Sequence, residues 1–92
     1  MYTVYIRALD GSYINVDNII QLYATVFEDE EYIMAMSSYE TADPVLECMG
    51  NKDPDILISN ALSVIANAKI QSQTIGDAVI VDLPEQLGMN KF

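Results

Sequence analysis

The 92-residue chain has no histidine, no tryptophan and a single cysteine. Without histidine, the commonest general base and the commonest metal ligand are both missing. Cys48 has no histidine to activate it, which removes the usual Cys-His hydrolase pairing. A zinc site built from Cys and His is excluded by count. One thiol closes no internal disulfide, so nothing points to a stapled secreted domain. Positive charge is almost as scarce. Four Lys and Arg stand against 14 Asp and Glu, a formal net charge of -10. Arg7, Lys52, Lys69 and Lys91 are scattered, whereas direct nucleic-acid binding needs clustered cations. Attraction to an anionic membrane surface is disfavoured for the same reason. No basic segment leads into an apolar stretch, so no signal peptide is read. No apolar run approaches the ~18 residues that span a bilayer. The expectation is a soluble, cytoplasmic protein.

What the chain does have is apolar content, at 51%. High charge with low hydrophobicity reads as disorder; this composition instead reads as one packed domain, 1–92, under an acidic surface.

The first half alternates. In residues 2–9, Tyr2, Val4, Ile6 and Ala8 share one face of a predicted strand. Asp10-Gly11 between apolar runs is a two-residue hairpin signal, and Tyr13 to Val16 follows as a second strand. Asp17-Asn18 reads as a turn. In the strand predicted over 19–27, Ile20, Leu22, Ala24 and Val26 face one way and Gln21, Tyr23 and Thr25 the other. The run Glu28-Asp29-Glu30-Glu31 reads as a solvated turn, and 32–38 as the returning strand, with Ile33 and Ala35 opposite Tyr32, Met34 and Met36. Residues 38–44 read as loop and 45–49 as a fifth short strand.

After Gly50 the period changes. Asp53 before Pro54 is an N-cap type followed by the favoured first-turn proline. Leu57, Ile58, Ala61, Leu62, Ile65 and Ala68 recur at helical spacing, which predicts a helix over 54–71. Ala78 to Val81 predicts a short late strand within 77–83, and Pro84 opens a tail, 84–92. The fold class expected is α+β: a small antiparallel β-meander of about five strands with one amphipathic helix packed on a face. The opening run, with Leu9-Asp10-Gly11, Tyr13-Ile14-Asn15-Val16 and Ile19, resembles a class of small bacterial and phage proteins with this layout. The resemblance covers 1–27, rests on a turn and alternating apolar positions, and carries no function across.

Residues 1–50 hold nine acids against Arg7, a net -8, while 51–92 hold five acids against three lysines, a net -2. The run Glu28, Asp29, Glu30 and Glu31 therefore has two readings. It is a solvated hairpin tip, or an interaction patch joined by Glu40, Asp43 and Glu47. No EF-hand spacing, phosphate loop or activated nucleophile is present, so no metal, cofactor or catalytic residue is expected. All six tyrosines lie in the first half. Strand propensity explains them, or else Tyr5, Tyr23 and Tyr32 line a contact face. The function expected is that of a non-enzymatic binding or regulatory protein of a bacterium or phage. It would dock its sheet half on a protein partner with a basic surface. The alternatives are an acidic mimic that inhibits a nucleic-acid-binding enzyme and a self-assembling subunit, with a homodimer through an edge strand or a second apolar face in view.

Overall fold

The early alternation becomes β1 (Val4–Arg7) and β2 (Tyr13–Asn15), paired antiparallel. The computed structural model describes residues 3–38, 41–48 and 53–88; Tyr2, Tyr39, Glu40 and the last residues of the tail lie outside them. Ala8 N–H donates to Ser12 O at 2.8 Å, so the loop is Leu9, Asp10 and Gly11, one residue longer than the two-residue signal implied. Gly11 takes φ 91, a conformation open to a residue without Cβ. Asp10 accepts from the backbone N–H of Ser12 at 2.9 Å and from its hydroxyl at 2.6 Å. These bonds hold the Asp10 carboxyl below its ordinary range. The Asp17-Asn18 turn is a single 3-10 turn, Val16–Asn18, in which Asn15 Oδ1 accepts from Asp17 N–H.

The second group of strands is β3 (Gln21–Phe27), β4 (Glu30–Ser38) and β5 (Thr41–Glu47). β5 begins inside the stretch read as loop, and Pro44 lies within it because β5 is an outer strand where a missing N–H is tolerated. The register between β4 and β5 shifts at Val45, which lets consecutive residues Val45 and Leu46 both be fully buried.

α1 (Pro54–Ile75) starts where the sequence placed it, with the Asp53 side chain accepting from Asp55 N–H at 2.9 Å. It runs past residue 71 to Gly76, whose φ of 71 closes the helix as its N–H donates to Ser72 O. The polar run 71–75 hid this extension, because only Ser72 in it is buried. The Ser72 hydroxyl donates to Asp77 O at 2.5 Å and ties the end of the helix to the strand that follows. Ser72→Ala is expected to lower stability by about 1–2 kcal/mol, since a part-buried carbonyl loses its donor. Urea unfolding of the two proteins measures this.

β6 (Val79–Val81) pairs parallel with β1, and α1 is part of the long connection between them. The α+β class holds, with one main helix packed on strands. The strands form two three-stranded sheets, β2-β1-β6 and β3-β4-β5, in place of one meander. The division arises because β3, which a meander would set against the free side of β2, pairs only with β4, while β6 returns to the open side of β1. The predicted tail opens as a second short helix, α2 (Leu83–Gln86). Pro84 starts that turn, and Asp82 caps it by accepting from Glu85 N–H.

One buried cluster joins these layers. Leu57, Ala61, Ile65 and Ala68 of α1 meet Val4 and Ile6 of the first sheet and Ile33, Ala35 and Leu46 of the second, with Leu83 of α2 sealing it. The opposite side of α1 is nearly as apolar, with Ile56, Leu62 and Ile70 exposed.

Candidate functional site

Alternation along β3 and β4 sorts the second sheet into two faces. Directly opposed residues in an antiparallel pair share a face. Leu22 opposite Ala35 and Ala24 opposite Ile33 belong to the inner face. Gln21 opposite Met36, Tyr23 opposite Met34, Thr25 opposite Tyr32 and Phe27 opposite Glu30 belong to the outer face. Glu47 of β5 joins the outer face opposite Tyr32. Every one of these outer residues is half-buried or exposed, and Phe27 is 64% exposed. Tyr23 and Tyr32 therefore lie together, as diagonal neighbours on adjacent strands. Tyr5 does not join them; it sits in the first sheet, where its neighbour across β6 is Ile80.

The acidic run is built differently from a plain turn. Only Glu28 and Asp29 form the loop, and both have positive φ, 51 and 66. Glu30 and Glu31 are already in β4. A two-residue hairpin with both residues left-handed is the geometry that Asn-Gly fits without strain. Here two acids hold it; Asp29 is of a type that tolerates the left-handed region, and Glu28 holds it at about 1–2 kcal/mol.

Electrostatics bind the run to the tyrosine face. The Tyr32 hydroxyl donates to Glu30 Oε2 at 2.8 Å. That bond, reinforced by the nearby charges of Glu47 and Glu28, holds the phenol above its ordinary pKa. Cys48 lies beside the same cluster, and its N–H donates to Glu31 O. Burial first, then the charges of Glu31 and Glu47, push its thiol up, so it stays protonated at neutral pH and is a poor nucleophile. Glu28, Asp29, Glu30, Glu31 and Glu47 thus gather at one end of the sheet, with Glu31 on the inner face opposite Val26. Asp43 pairs with Ala35, four residues along β4 from Glu31, and lies toward the other end. Glu40 lies outside the described residues.

The sequence pattern did not single out Phe27 as part of this face. Its alternation with Tyr23 and Thr25 was the available signal. Met34 and Met36, half-buried, also contribute area to the face.

Elsewhere, a cleft of about 260 Å³ opens between α1, β6 and α2. Val64, Val79 and the carboxamides of Asn67, Gln71 and Gln86 line it, with no titratable side chain. It is smaller than the ~300–1,000 Å³ usual for small-molecule sites. Among the described residues, no group of three or more His, Cys, Asp and Glu could hold a metal ion. No helix among them is long and apolar enough to cross a membrane. In comparisons with family models, with curated proteins and with solved structures, the chain matches none.

Proposed function

We propose that this is a non-enzymatic docking protein whose second sheet meets a protein partner with a basic rim and an apolar centre. The hairpin tip carries the reading. A turn selected for stability alone would hold Asn-Gly at residues 28 and 29, yet Glu28 above all keeps the left-handed geometry at a loss of stability. Strain retained at a surface turn is accounted for when its side chains do work on something else. Beside that tip, Tyr23, Phe27, Tyr32 and Met34 supply amphipathic contact area of the type that anchors interfaces. The carboxylates would steer a basic partner and the aromatic face would hold it.

An acidic mimic of nucleic acid calls for a longer band of charge than five carboxylates at one end of a sheet, and Asp43 does not extend that band. Docking of a protein partner suits the arrangement better.

The double variant Glu28→Asn, Asp29→Gly separates stability from binding. It is expected to unfold at a higher denaturant concentration, by roughly 1–2 kcal/mol, because both residues then tolerate positive φ. In capture experiments from a lysate of the source organism, the same variant and Tyr32→Ala are each expected to lose a partner that the parent chain retains at low salt. If the partner stays bound with both variants and across a salt titration, the tip is only a solvated turn and the proposal is wrong.

A further inference from the structure

The two outer strands of the second sheet are built in opposite ways. β5 contains Pro44, a register shift at Val45, and the acids Asp43 and Glu47. Proline, bulges and charge are the devices that stop another strand from adding to an edge. Pro44 O is also taken by the N–H of Leu9 at 2.8 Å. β3, the other outer strand, has none of these protections. From residue 18 to residue 27 there is no charge, no proline and no glycine. Its pairing with β4 runs over seven residues without a register shift. It is open to solvent, with Ala24 exposed and Val26 66% exposed. Val26 and Ala24 belong to the inner face of the sheet, so an apolar inner surface is left uncovered at this edge.

We propose that β3 pairs with the β3 of a second copy of this chain, antiparallel about a two-fold axis at Ala24, so that two three-stranded sheets become one continuous sheet. Pairing about Ala24 sets Val26 opposite Leu22 of the other copy, Thr25 opposite Tyr23, and Phe27 opposite Gln21. Each pair joins residues of one face, apolar with apolar on the inner side. Such a contact is isologous, as closed two-fold dimers require.

The uncharged strand is what lets a second copy pair here, and charge sets the orientation. Two chains at -10 repel wherever their acidic surfaces meet, and the uncharged stretch 18–27 is where they can meet without opposed carboxylates. A parallel pairing would bring the two Glu28-Asp29 tips side by side. The antiparallel one sends them to opposite ends. Each tip then arrives beyond Gln21 of its partner, beside the turn where Lys69 bridges Asp17 at 3.4 Å. The acidic tip thus meets the Asp17–Lys69 ion pair and not another tip.

Sedimentation equilibrium and disulfide trapping test this together. The parent chain is expected at the two-chain mass. Ala24→Lys places two ammonium groups at the axis and is expected at the one-chain mass, with an unchanged far-ultraviolet circular dichroism spectrum because Ala24 is exposed. In a Cys48→Ser background, Ala24→Cys is expected to form a covalent dimer under oxidised glutathione. Directly opposed residues have Cα atoms about 4.5–5.5 Å apart, within disulfide range. Ile70→Cys, on the outer side of α1, is expected to remain single in the same background. A parent chain of one-chain mass at high concentration overturns the proposal. So does a dimer that keeps its mass in Ala24→Lys, or one trapped by Ile70→Cys in place of Ala24→Cys, which would put the contact on the helix.

Discussion

Ile33→Ala is expected to lower the unfolding free energy by about 2–5 kcal/mol, the range for truncating a fully buried aliphatic side chain. For a domain of this length the whole stability is about 5–14 kcal/mol, so the variant gives up a large share of it. Ile33 has no exposed surface and stands in the central strand of the second sheet, opposite Ala24 on β3 and Leu46 on β5. Its loss opens space among neighbours that cannot fill it: Ala24 is small, and Leu46 is held in the bulged strand. Met34, one residue on, points to the outer face and is only half-buried. Met34→Ala is therefore expected to lower stability by about 1 kcal/mol or less. Guanidinium titrations of the pair measure the difference. Equal losses at the two positions would mean that the faces of this sheet are assigned the wrong way round.

A chain ending at Gly76 is expected to lose cooperative folding altogether. Removing 77–92 takes away β6, whose Val81 is buried, and α2, whose Leu83 is fully buried. It also strips the parallel partner from β1 and leaves Val4 and Ile6 beside an open edge. Thr3 O loses the N–H of Val79, and the Ser72 hydroxyl loses Asp77 O. Each lost aliphatic side chain is worth about 1.5–3 kcal/mol of burial, and the backbone ladder adds to that. The sum is comparable with the entire stability of a domain this size. The expected result is a broad, non-cooperative melt in circular dichroism and a collapsed amide dispersion in NMR. A sharp transition close to that of the full chain would show that the second sheet and α1 fold without the first sheet.

Much of this architecture can be read from residue types alone, for local reasons. Alternation at Val4-Ile6 and at Ile33-Ala35 placed strands, because a strand's period is short and its buried face is set by its own residues. Asp53-Pro54 marked the start of α1, because capping is local chemistry. The partition into two sheets was not legible. It depends on β3 leaving the free side of β2 unpaired and on Val79 meeting Val4 across the length of the chain, and no local pattern encodes either. Pro44 and Pro84 misled for a related reason. Proline bars central strands and helix interiors, but an outer strand and a first helical turn both accept it. At the candidate site, the acidic run and Tyr23 with Tyr32 were visible as composition. The positive φ of Glu28 was not, since Glu seldom adopts it.

The parallel pairing of β1 with β6 also sets a schedule for the chain as it leaves the ribosome. β3, β4 and β5 are consecutive and antiparallel, so their hairpins can close within microseconds of emerging. β1 emerges before any of them, but its second partner lies some 75 residues later. At about 5–20 residues per second, that strand waits roughly 4–15 s with one side unpaired. The first sheet is therefore the last to be completed, although its opening strand is the first to be made. The interval in which the nascent chain is open to a wrong partner falls on β1.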